Sequence, residues 1–331
     1  MLTGSGAARR FLSAPRLPGL EEGSGPRKGM TAMNKRDWHR REFVRLAVGA
    51  GLSAFSAPAA ERNIRWGLGL VTWRGKAEWP EILADVEAAG FDGVEPFTAK
   101  FLNDQAMAQL EQLLPQHKTI RMCSIYWSGP IHEPAQHDRL REEGRKVLGY
   151  LKRFGADRFT YGPPRPDVED EKLAIANAAK FVNEFGRMAL EEYQIRTDIH
   201  PHVGSLIENP RQIDMLMDLT DPKYFNLAPD TAQVWMGGGD PVALFQKYKH
   251  RIIYMHYKDI RAYYRGLSGY MDNVIELGRG VIDFPALHRI LKSVSYKGWI
   301  TIDLDNARIS PRESARVQKE YIDRVLAPIY F

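Results

Sequence analysis

The sequence predicts an α/β protein with a closed (β/α)8 TIM barrel, and three observations lead to this fold class. Short β-like runs alternate eight times with longer amphipathic runs after residue 60, and parallel strands need a crossover long enough for a helix. The 271 residues of this part are close to the roughly 250 of a typical barrel. No glycine-rich phosphate pattern follows the first strand, where the sequence reads GLGLVTWRGKAEWP, so an open dinucleotide-binding sheet is disfavoured.

Strands and helices are predicted in strict order along residues 61–331, which we treat as a single catalytic domain. The strands are short runs rich in branched and aromatic residues, and the helices are longer runs with apolar residues at helical spacing. The predicted strands are IRWGLGL (64–70), GVEPF (93–97), TIRMCSIY (119–126), RFTYG (158–162), IRTDIH (195–200), FNLAP (225–229), RIIYMH (251–256) and WITIDL (299–304). The predicted helices cover residues 80–89, 104–114, 136–154, 169–192, 210–219, 241–248, 284–293 and 311–326.

Residues 1–60 have the features of a leader segment rather than of a folded domain. Arg40 and Arg41 are followed by Phe43 and then by an uncharged stretch over residues 46–60 that contains the small-residue sequence APA. This pattern resembles a twin-arginine export signal, so we expect the leader to be removed and the mature protein to be periplasmic. If this interpretation is wrong, we expect a cytoplasmic protein. The uncharged stretch is too short and too rich in small residues to predict a stable membrane span.

Charge is distributed unevenly between the leader and the predicted barrel. The chain has a formal net charge of +5, but residues 1–60 hold 10 of its 46 basic and only 4 of its 41 acidic residues. The remaining 36 basic and 37 acidic residues leave the barrel almost neutral. Nucleic-acid binding relies on concentrated basic side chains, so we expect no nucleic-acid partner. The one cysteine, Cys123, cannot form an internal disulfide.

Polar side chains are concentrated where the later strands end. In a barrel of this kind the active site lies at the carboxyl ends of the strands, and consecutive strands are neighbours. Two imidazoles and two carboxylates that meet there suit a divalent first-row metal ion. Single residues also have structural explanations: Asp230 as a helix cap, His256 as a core residue, and Lys258 with Asp259 as a surface ion pair. The residues at these ends are Glu95, Tyr126, Trp127, His200, His202, Asp230, His256, Lys258, Asp259, Asp303 and Asp305.

Five segments carry a resemblance to a known family: GFDGVEPF, DIHPHVGSLIE, NLAPDTAQVWMGGGDP, YMHYKDI and GWITIDLD. From residue 64 to the C-terminus the chain resembles the xylose isomerase-like TIM barrels. This group of sugar phosphate isomerases and epimerases includes ketose 3-epimerases, inosose dehydratase and, more distantly, endonuclease IV. The resemblance implies a divalent metal cation, which is Mn, Mg, Co or Zn. The family's ligand positions fall on His200, Asp230, His256 and Asp303.

Three positions differ from the family's common pattern. His200 and Asp303 stand where the family has glutamates after strands five and eight, and Gln233 stands in the place of a histidine. In the epimerases of the family the two glutamates also exchange the substrate proton, so a two-glutamate mechanism is in doubt for this chain. The histidine version, an HPH-G motif, is similar to sequences near inosose dehydratase.

The resemblance implies chemistry on a carbohydrate whose carbonyl group is polarised by a metal ion. We expect first an isomerase or epimerase that acts through an enediolate on a carbohydrate or keto-polyol. The alternatives are an inosose dehydratase-like lyase that eliminates water from a keto-sugar and a noncatalytic periplasmic sugar-binding barrel. The near-neutral barrel disfavours a nuclease, and a homo-oligomer is left open. The candidate proton carriers are His202, Glu208, Lys258 and Glu95, and the candidate substrate contacts are Trp73, Tyr126, Trp127, Gln233 and Asp305.

Overall fold

A ring of parallel strands with helices packed around it is the architecture of the part of the chain that the structure describes. This computed structural model describes residues 63–330 apart from 74–76, 97–103, 166–167, 262–265 and 267–268. The predicted leader and its twin-arginine motif lie outside the described residues.

Most of the strands belong to two parallel sheets. The described strands are β1 (Ile64–Gly69), β2 (Gly93–Glu95), β3 (Arg121–Met122), β4 (Tyr126–Ser128), β5 (Arg158–Gly162), β6 (Arg196–Ile199), β7 (Phe225–Leu227), β8 (His256–Tyr257), β9 (Asp259–Ile260), β10 (Val274–Ile275) and β11 (Gly298–Ile302). The two sheets have the orders β3-β2-β1-β11-β8 and β4-β5-β6-β7, and their strand pairs are parallel. β9 and β10 form a separate antiparallel pair.

Backbone contacts at two places join these sheets into one ring. The segment between β3 and β4 continues the third strand, because its backbone hydrogen-bonds to β2 and to β5. Between β7 and β8, Leu227 pairs with Ile252 and Asp230 with His256 in parallel register. A proline lies beside each junction, Pro96 directly after β2 and Pro229 after β7, and its nitrogen cannot donate to a neighbouring strand. The predicted closed barrel is therefore confirmed, with the ladder interrupted at these two points.

Helices follow the strands as predicted. The described helices are α1 (Trp79–Ala89), α2 (Asp104–Leu113), α3 (His137–Arg153), α4 (Glu171–Tyr193), α5 (Pro210–Asp218), α6 (Thr231–Met236), α7 (Pro241–Tyr248), α8 (Tyr270–Asn273), α9 (Phe284–Ser293), α10 (Pro311–Tyr321) and α11 (Ala327–Tyr330). Each predicted helix is present, but the last changes from α- to π-type over Ile322–Leu326. The short helices α6, α8 and α11 were not predicted as separate elements. Within the described residues, no helix has the length and apolar character needed to span a membrane.

Side-chain caps fix the starts of several helices. Asp170 accepts a hydrogen bond from Leu173 N at the start of α4, and Asn209 forms a reciprocal capping box with Gln212 at the start of α5. Asp230 caps α6, the short helix that follows β7. Each cap satisfies an N–H group that the first turn of a helix leaves unpaired. The cap at α6 therefore holds Asp230 at the carboxyl end of the barrel.

Gly144 and Gly149 lie on the same helix, α3, in different surroundings. A β-carbon at Gly144 would overlap the ring of Phe185 on α4, whereas one at Gly149 would meet no described atom within 4 Å. We expect Gly144→Ala to lower the free energy of unfolding by about 1–3 kcal/mol, because overpacking forces the two helices apart. Gly149→Ala should raise it by up to about 1 kcal/mol, because alanine favours a helix. Urea unfolding checks both variants, and equal effects would contradict this packing.

His288 is buried between α9 and the ring of strands. Its imidazole stacks on Trp66 with ring centroids 5.5 Å apart, and its Nδ1 lies 3.0 Å from Tyr257 Oη. Burial lowers the pKa of His288 from the usual value of 6.5 to about 4. The folded protein therefore resists protonation of this imidazole at a pH where the unfolded chain accepts a proton.

The lowered pKa of His288 predicts a loss of stability in acid. Its contribution is fully present above pH 6.5 and is lost as the pH falls toward 4. A shift of this size corresponds to about 3 kcal/mol. Between pH 6.5 and pH 4, we expect the free energy of unfolding of His288→Asn to fall by about 3 kcal/mol less than that of the wild type. The exposed His250 supplies a control variant, His250→Asn, that should leave the slope unchanged. Parallel pH profiles for His288→Asn and the wild type would refute this origin of the slope.

Candidate metal centre and active site

A cavity of about 40 Å³ lies at the carboxyl ends of the barrel strands, where the closed fold predicts the active site. This is room for an ion with a few water molecules. The polar side chains that line it are all candidates from the strand ends. They are Glu95, Tyr126, His200, His202, His256, Lys258, Asp303 and Asp305.

His200, Asp230 and His256 form a buried group that can hold a metal ion. One ligand atom from each lies within 4.8 Å of the other two. His200 Nε2 and Asp230 Oδ2 are 4.0 Å apart, a separation that one ion with bonds of about 2.0–2.2 Å can bridge. His200 Nδ1, Asp230 Oδ2 and both ring nitrogens of His256 have no hydrogen-bond partner among the described residues. Buried polar atoms normally find a partner, and one nitrogen of each imidazole together with Asp230 Oδ2, which also faces Lys258 Nζ at 3.1 Å, would fit a divalent cation.

The local fold explains why these three side chains meet. His200 directly follows β6, and His256 begins β8. Asp230 follows β7 and pairs in register with His256. Its Oδ1 accepts a hydrogen bond of 2.9 Å from Gln233 N in α6, which turns Oδ2 toward the group. The helix cap and the metal-ligand interpretations of Asp230 are therefore compatible, with one oxygen for each role.

Asp303, the fourth predicted ligand, lies beside the group rather than in it. Its Oδ2 is 3.9 Å from His256 Nδ1 but only 2.7 Å from Lys258 Nζ. The shorter side chain that replaces the family's glutamate is consistent with this position. Three protein ligands leave a coordination position for water or substrate, as in catalytic zinc sites.

Glu95 ends β2 and approaches His256 from across the ring. Its Oε2 is 2.6 Å from His256 Nε2, although the two groups are not aligned for a hydrogen bond. Burial alone would lower the pKa of His256, but Glu95, and then Asp303 and Asp230, raise it to about 9. His256 is therefore protonated at neutral pH in this structure. A metal ion binds only a neutral imidazole, so an ion held by His256 would have to displace this proton.

His200 and His202 are neutral at the same pH. Burial, followed by the charge of His256, lowers the pKa of His200 well below its usual value. Burial and then the Lys258 ammonium lower the pKa of His202 to about 4. His202 Nδ1 lies 2.8 Å from Val203 O, and since a carbonyl oxygen only accepts, Nδ1 carries the hydrogen. His202 Nε2 therefore keeps its lone pair for a proton.

Lys258 supplies an ammonium group to the cavity. Its Nζ lies 2.6 Å from Asp305 Oδ2, 2.7 Å from Asp303 Oδ2 and 3.1 Å from Asp230 Oδ2. Burial alone would lower the pKa of Lys258, but these three carboxylates hold it well above its usual value. Burial alone would likewise raise the pKa of Asp305, but Lys258 lowers it to about 2. The Lys258 ammonium therefore lies among the carboxyl groups of three aspartates at one side of the cavity.

Tyr270 is a site residue that the sequence reasoning missed. Its hydroxyl donates to Asp305 Oδ2 and accepts from Lys258 Nζ at 2.8 Å. Gln233 Nε2 also donates to this hydroxyl at 3.1 Å, while Gln233 Oε1 accepts from Val203 N. Gln233, predicted to contact substrate, thus ties the loop after β6 to α8. Tyr270 lies in a single helical turn without a periodic pattern, and the tyrosines of residues 261–281 were the signal that could have found it.

Three further predicted site residues do not line the cavity. Trp73 is buried in the main apolar core. Trp127 packs edge-on against Tyr161, with ring centroids 4.8 Å apart. Adjacent side chains of a strand point to opposite faces, so Trp127 points away from the cavity that Tyr126 lines. Glu208 Oε2 accepts a hydrogen bond of 3.0 Å from Gly204 N and closes a turn. Substrate contact by the two tryptophans and proton transfer by Glu208 are therefore not supported.

The alternative interpretation of Lys258 and Asp259 as a surface ion pair is wrong. Both side chains are buried, and alternation along the chain turns them to different sides. Asp259 accepts backbone hydrogen bonds from Gly280 N at 2.8 Å and Ile282 N at 3.2 Å. Asp259 therefore fixes the turn that follows β10, whereas Lys258 belongs to the cavity.

The barrel and the three-ligand centre at its strand ends define a metal-dependent class of barrel enzymes. The chain belongs to the xylose isomerase-like TIM barrel family, whose model matches residues 83–325. The relatives with which it aligns are enzymes, and this protein is an enzyme as well.

Curated relatives with the name inosose dehydratase align along most of the chain. The protein of Bacillus velezensis is 28% identical over 299 residues, which cover 80% of this chain and 98% of the relative. The protein of Klebsiella pneumoniae subsp. pneumoniae is 30% identical over 272 residues, with coverage of 73% and 88%. The protein of Salmonella agona is 30% identical over 302 residues, with coverage of 80% and 97%.

Solved structures share the fold. An IolI protein with a bound zinc atom superimposes with a TM-score of 0.69 at 16% identity, over 81% of this chain and 99% of that one. A sugar phosphate isomerase/epimerase from Parabacteroides distasonis superimposes with a TM-score of 0.67 at 17% identity, over 85% of this chain and all of that one. At this level of identity the likeness supports the barrel fold alone.

Loss of one ligand is expected to weaken metal binding strongly. His200→Ala and His256→Ala should each raise the Kd for Zn²⁺ by more than about 100-fold, since even loss of an orienting partner costs about 10–100-fold. Asp303→Asn should cost about 10-fold or less, because Asp303 lies outside the group. His288→Asn, at a buried histidine elsewhere, is the matched control. Competition with a fluorescent chelator measures each Kd, and an equal loss in Asp303→Asn would make Asp303 a ligand after all.

Proposed function

We propose that this protein is a metal-dependent lyase that eliminates water from a keto-polyol of the inosose type. Relatives with the name inosose dehydratase align with most of this chain and with nearly all of their own length. Within the site, one observation carries the proposal. A neutral imidazole, His202, and an ammonium, Lys258, line the same cavity as the candidate metal ligands.

The proposed reaction breaks a C–H bond beside a ketone and a C–O bond one carbon further along. A divalent ion held by His200, Asp230 and His256 would supply polarisation of the ketone. His202 Nε2 takes the proton of the C–H bond, and the electron pair left on carbon forms a C=C double bond. The C–O bond breaks, and the departing hydroxide takes a proton from Lys258 Nζ and leaves as water. One proton then passes from His202 to Lys258, which restores both groups.

The charges of the two proton carriers suit these roles. With a pKa of about 4, His202 is unprotonated at neutral pH and ready to accept a proton. A base of this pKa is weak, so the reaction depends on a substrate C–H bond that a neighbouring carbonyl has made acidic. Lys258 is protonated because three carboxylates surround it, and it can donate to a poor leaving group. A positioned acid or base typically contributes a factor of about 10²–10⁴ in rate.

Tyr126 and Asp305 are the proposed contacts to substrate hydroxyl groups. Burial raises the pKa of Tyr126, so its phenol stays protonated and can donate a hydrogen bond. Its ring meets that of His200 edge-on at 5.3 Å, which places it beside the metal centre. Asp305, with its lowered pKa, remains an acceptor. A donor and an acceptor that line the same cavity suit a polyol.

A sugar isomerase or epimerase, the first expectation from the sequence, remains the second candidate. Glu95 favours it, because this carboxylate lines the cavity and its Oε1 is buried with no hydrogen-bond partner among the described residues. Glu95 could return a proton to the carbon atom from which it was removed or to its neighbour. The relatives aligned over the whole barrel favour the dehydratase.

Turnover of inosose by the full chain loaded with Mn²⁺, Co²⁺ or Zn²⁺ tests the proposal. We expect loss of one water molecule per substrate, detected by mass spectrometry and by NMR in D₂O. His202→Asn and Lys258→Met should each lower kcat by about 10²–10⁴-fold. Glu208→Gln, at a residue outside the cavity, should change kcat by less than about 2-fold, because the amide oxygen can still accept the hydrogen bond from Gly204 N.

Two other results would reject the lyase. Exchange of a C–H proton for deuterium in inosose or a ketose, without loss of water, would identify an isomerase or epimerase. Binding of the sugar with neither exchange nor water loss would identify a noncatalytic barrel.

A further inference from the structure

Three carboxylates and a phenol surround the Lys258 ammonium beside the candidate metal centre. The carboxylate oxygens lie 2.6–3.1 Å from Nζ, and the Tyr270 hydroxyl lies 2.8 Å from it. The Lys258 side chain is only 2% exposed. Oxygen atoms that converge from several sides on one buried point form the kind of site in which proteins bind hard cations. Here the chain's own ammonium occupies that point.

The carboxylate of Asp230 connects this point to the metal group. Asp230 Oδ2 is 3.1 Å from Lys258 Nζ and 4.0 Å from His200 Nε2. One oxygen atom therefore faces two neighbouring cation positions. In enzymes with two metal ions, the ions lie about 3.5–4 Å apart and share ligands of this kind.

The ammonium is held in place from both ends of its side chain. Thr231 Oγ1 accepts a hydrogen bond from Lys258 N at 3.0 Å and donates one to Lys258 O at 2.6 Å, which fixes the backbone. At the other end Gln233 holds the hydroxyl of Tyr270 against Nζ. The position of the charge is thus built into the fold, and exposed lysine side chains have no such support.

We propose that Lys258 is a resident cation: its ammonium fills a second cation site formed by Asp230, Asp303 and Asp305, and thereby limits the centre to one metal ion. The proposal rests on the metal centre of the proposed function, and it assigns Asp303 and Asp305 to the ammonium. One divalent ion and one ammonium together carry three positive charges, which balance the three aspartates.

An ammonium in the second position changes what the site can do. A second metal ion would offer another Lewis acid, but it has no proton to give. Lys258 offers a positive charge and a proton at the same place, next to the ion that would polarise the ketone. The resident cation therefore suits a reaction in which an oxygen atom must leave with a proton.

Removal of the ammonium is expected to open the second site to a metal ion. The full chain and its Lys258→Ala variant are titrated with Mn²⁺, and bound metal is counted by elemental analysis after gel filtration. We expect one ion per wild-type chain and two per Lys258→Ala chain. Electron paramagnetic resonance should give the spectrum of an isolated Mn²⁺ in the wild type and that of a spin-coupled pair in Lys258→Ala. If Lys258→Ala does not fold, Lys258→Gln serves instead, because its amide preserves size and offers an oxygen ligand.

Two control variants separate charge from shape. Lys258→Arg keeps a cation and should bind one ion. Lys258→Ala with Asp305→Asn keeps the net charge of the wild type and lacks one carboxylate of the second site, so its second ion should bind at least about 10-fold more weakly than in Lys258→Ala.

The outcomes distinguish this proposal from the proposed function. One isolated ion in both Lys258→Ala and Lys258→Gln would overturn the resident cation and leave the metal-dependent lyase intact. Two ions in the wild type would also overturn it, because the ammonium would then exclude nothing. No bound ion in the wild type would overturn the metal centre itself. Dehydratase turnover is measured separately and does not enter the count.

Discussion

The carboxylate of Asp230 is the point on which the fold and the site depend together. Its Oδ1 caps α6, and its Oδ2 faces Lys258 at 3.1 Å and His200 at 4.0 Å. The side chain is fully buried, and this burial raises its pKa, although Lys258 opposes the shift. A buried carboxylate without a cation is costly, so the helix start, the strand ends and the positive charges are energetically linked. The pairing of Asp230 with His256 that joins β7 to β8 also brings two of the three candidate ligands together.

Charge balance inside the ring follows from the same constraint. Lys258 is surrounded by three aspartates, and the His256 imidazolium lies against Glu95. Buried ion pairs of this type contribute little net stability, but loss of one partner leaves an uncompensated charge. The apolar residues lie elsewhere: most pack between the ring and the helices, and a small cluster that includes Tyr254 and Trp299 forms a separate group. The carboxyl end of the barrel is therefore organised by charge rather than by apolar packing.

The sequence predicted the barrel and most of the cavity because both depend on periodic patterns. Strand and helix alternation defined the fold, and reading the strand ends found the eight polar lining residues. Trp127 was predicted to contact substrate but does not line the cavity. Adjacent side chains of a strand point to opposite faces, so Tyr126 and Trp127 could not both line it. Gln233 was predicted to contact substrate and Glu208 to carry a proton, but in the structure both hold loop backbone by hydrogen bonds that no sequence pattern encodes. Tyr270 begins the single-turn helix α8, which is too short for sequence spacing to predict the direction of its side chains.

His200, which follows β6, links the charge of the candidate metal ligands to the proposed reaction. A glutamate there would add a second carboxylate to Asp230, whereas His200 is neutral because burial lowers its pKa. A divalent ion on two imidazoles and one carboxylate keeps more of its charge for a substrate oxygen than an ion on several carboxylates does. The proton carriers also differ in charge, since His202 is a neutral base and Lys258 a cationic acid. Epimerisation needs groups that can exchange protons on either face of one carbon, whereas elimination needs one group to take a proton and another to give one. The unusual His200 therefore belongs to a site whose charges favour elimination of water.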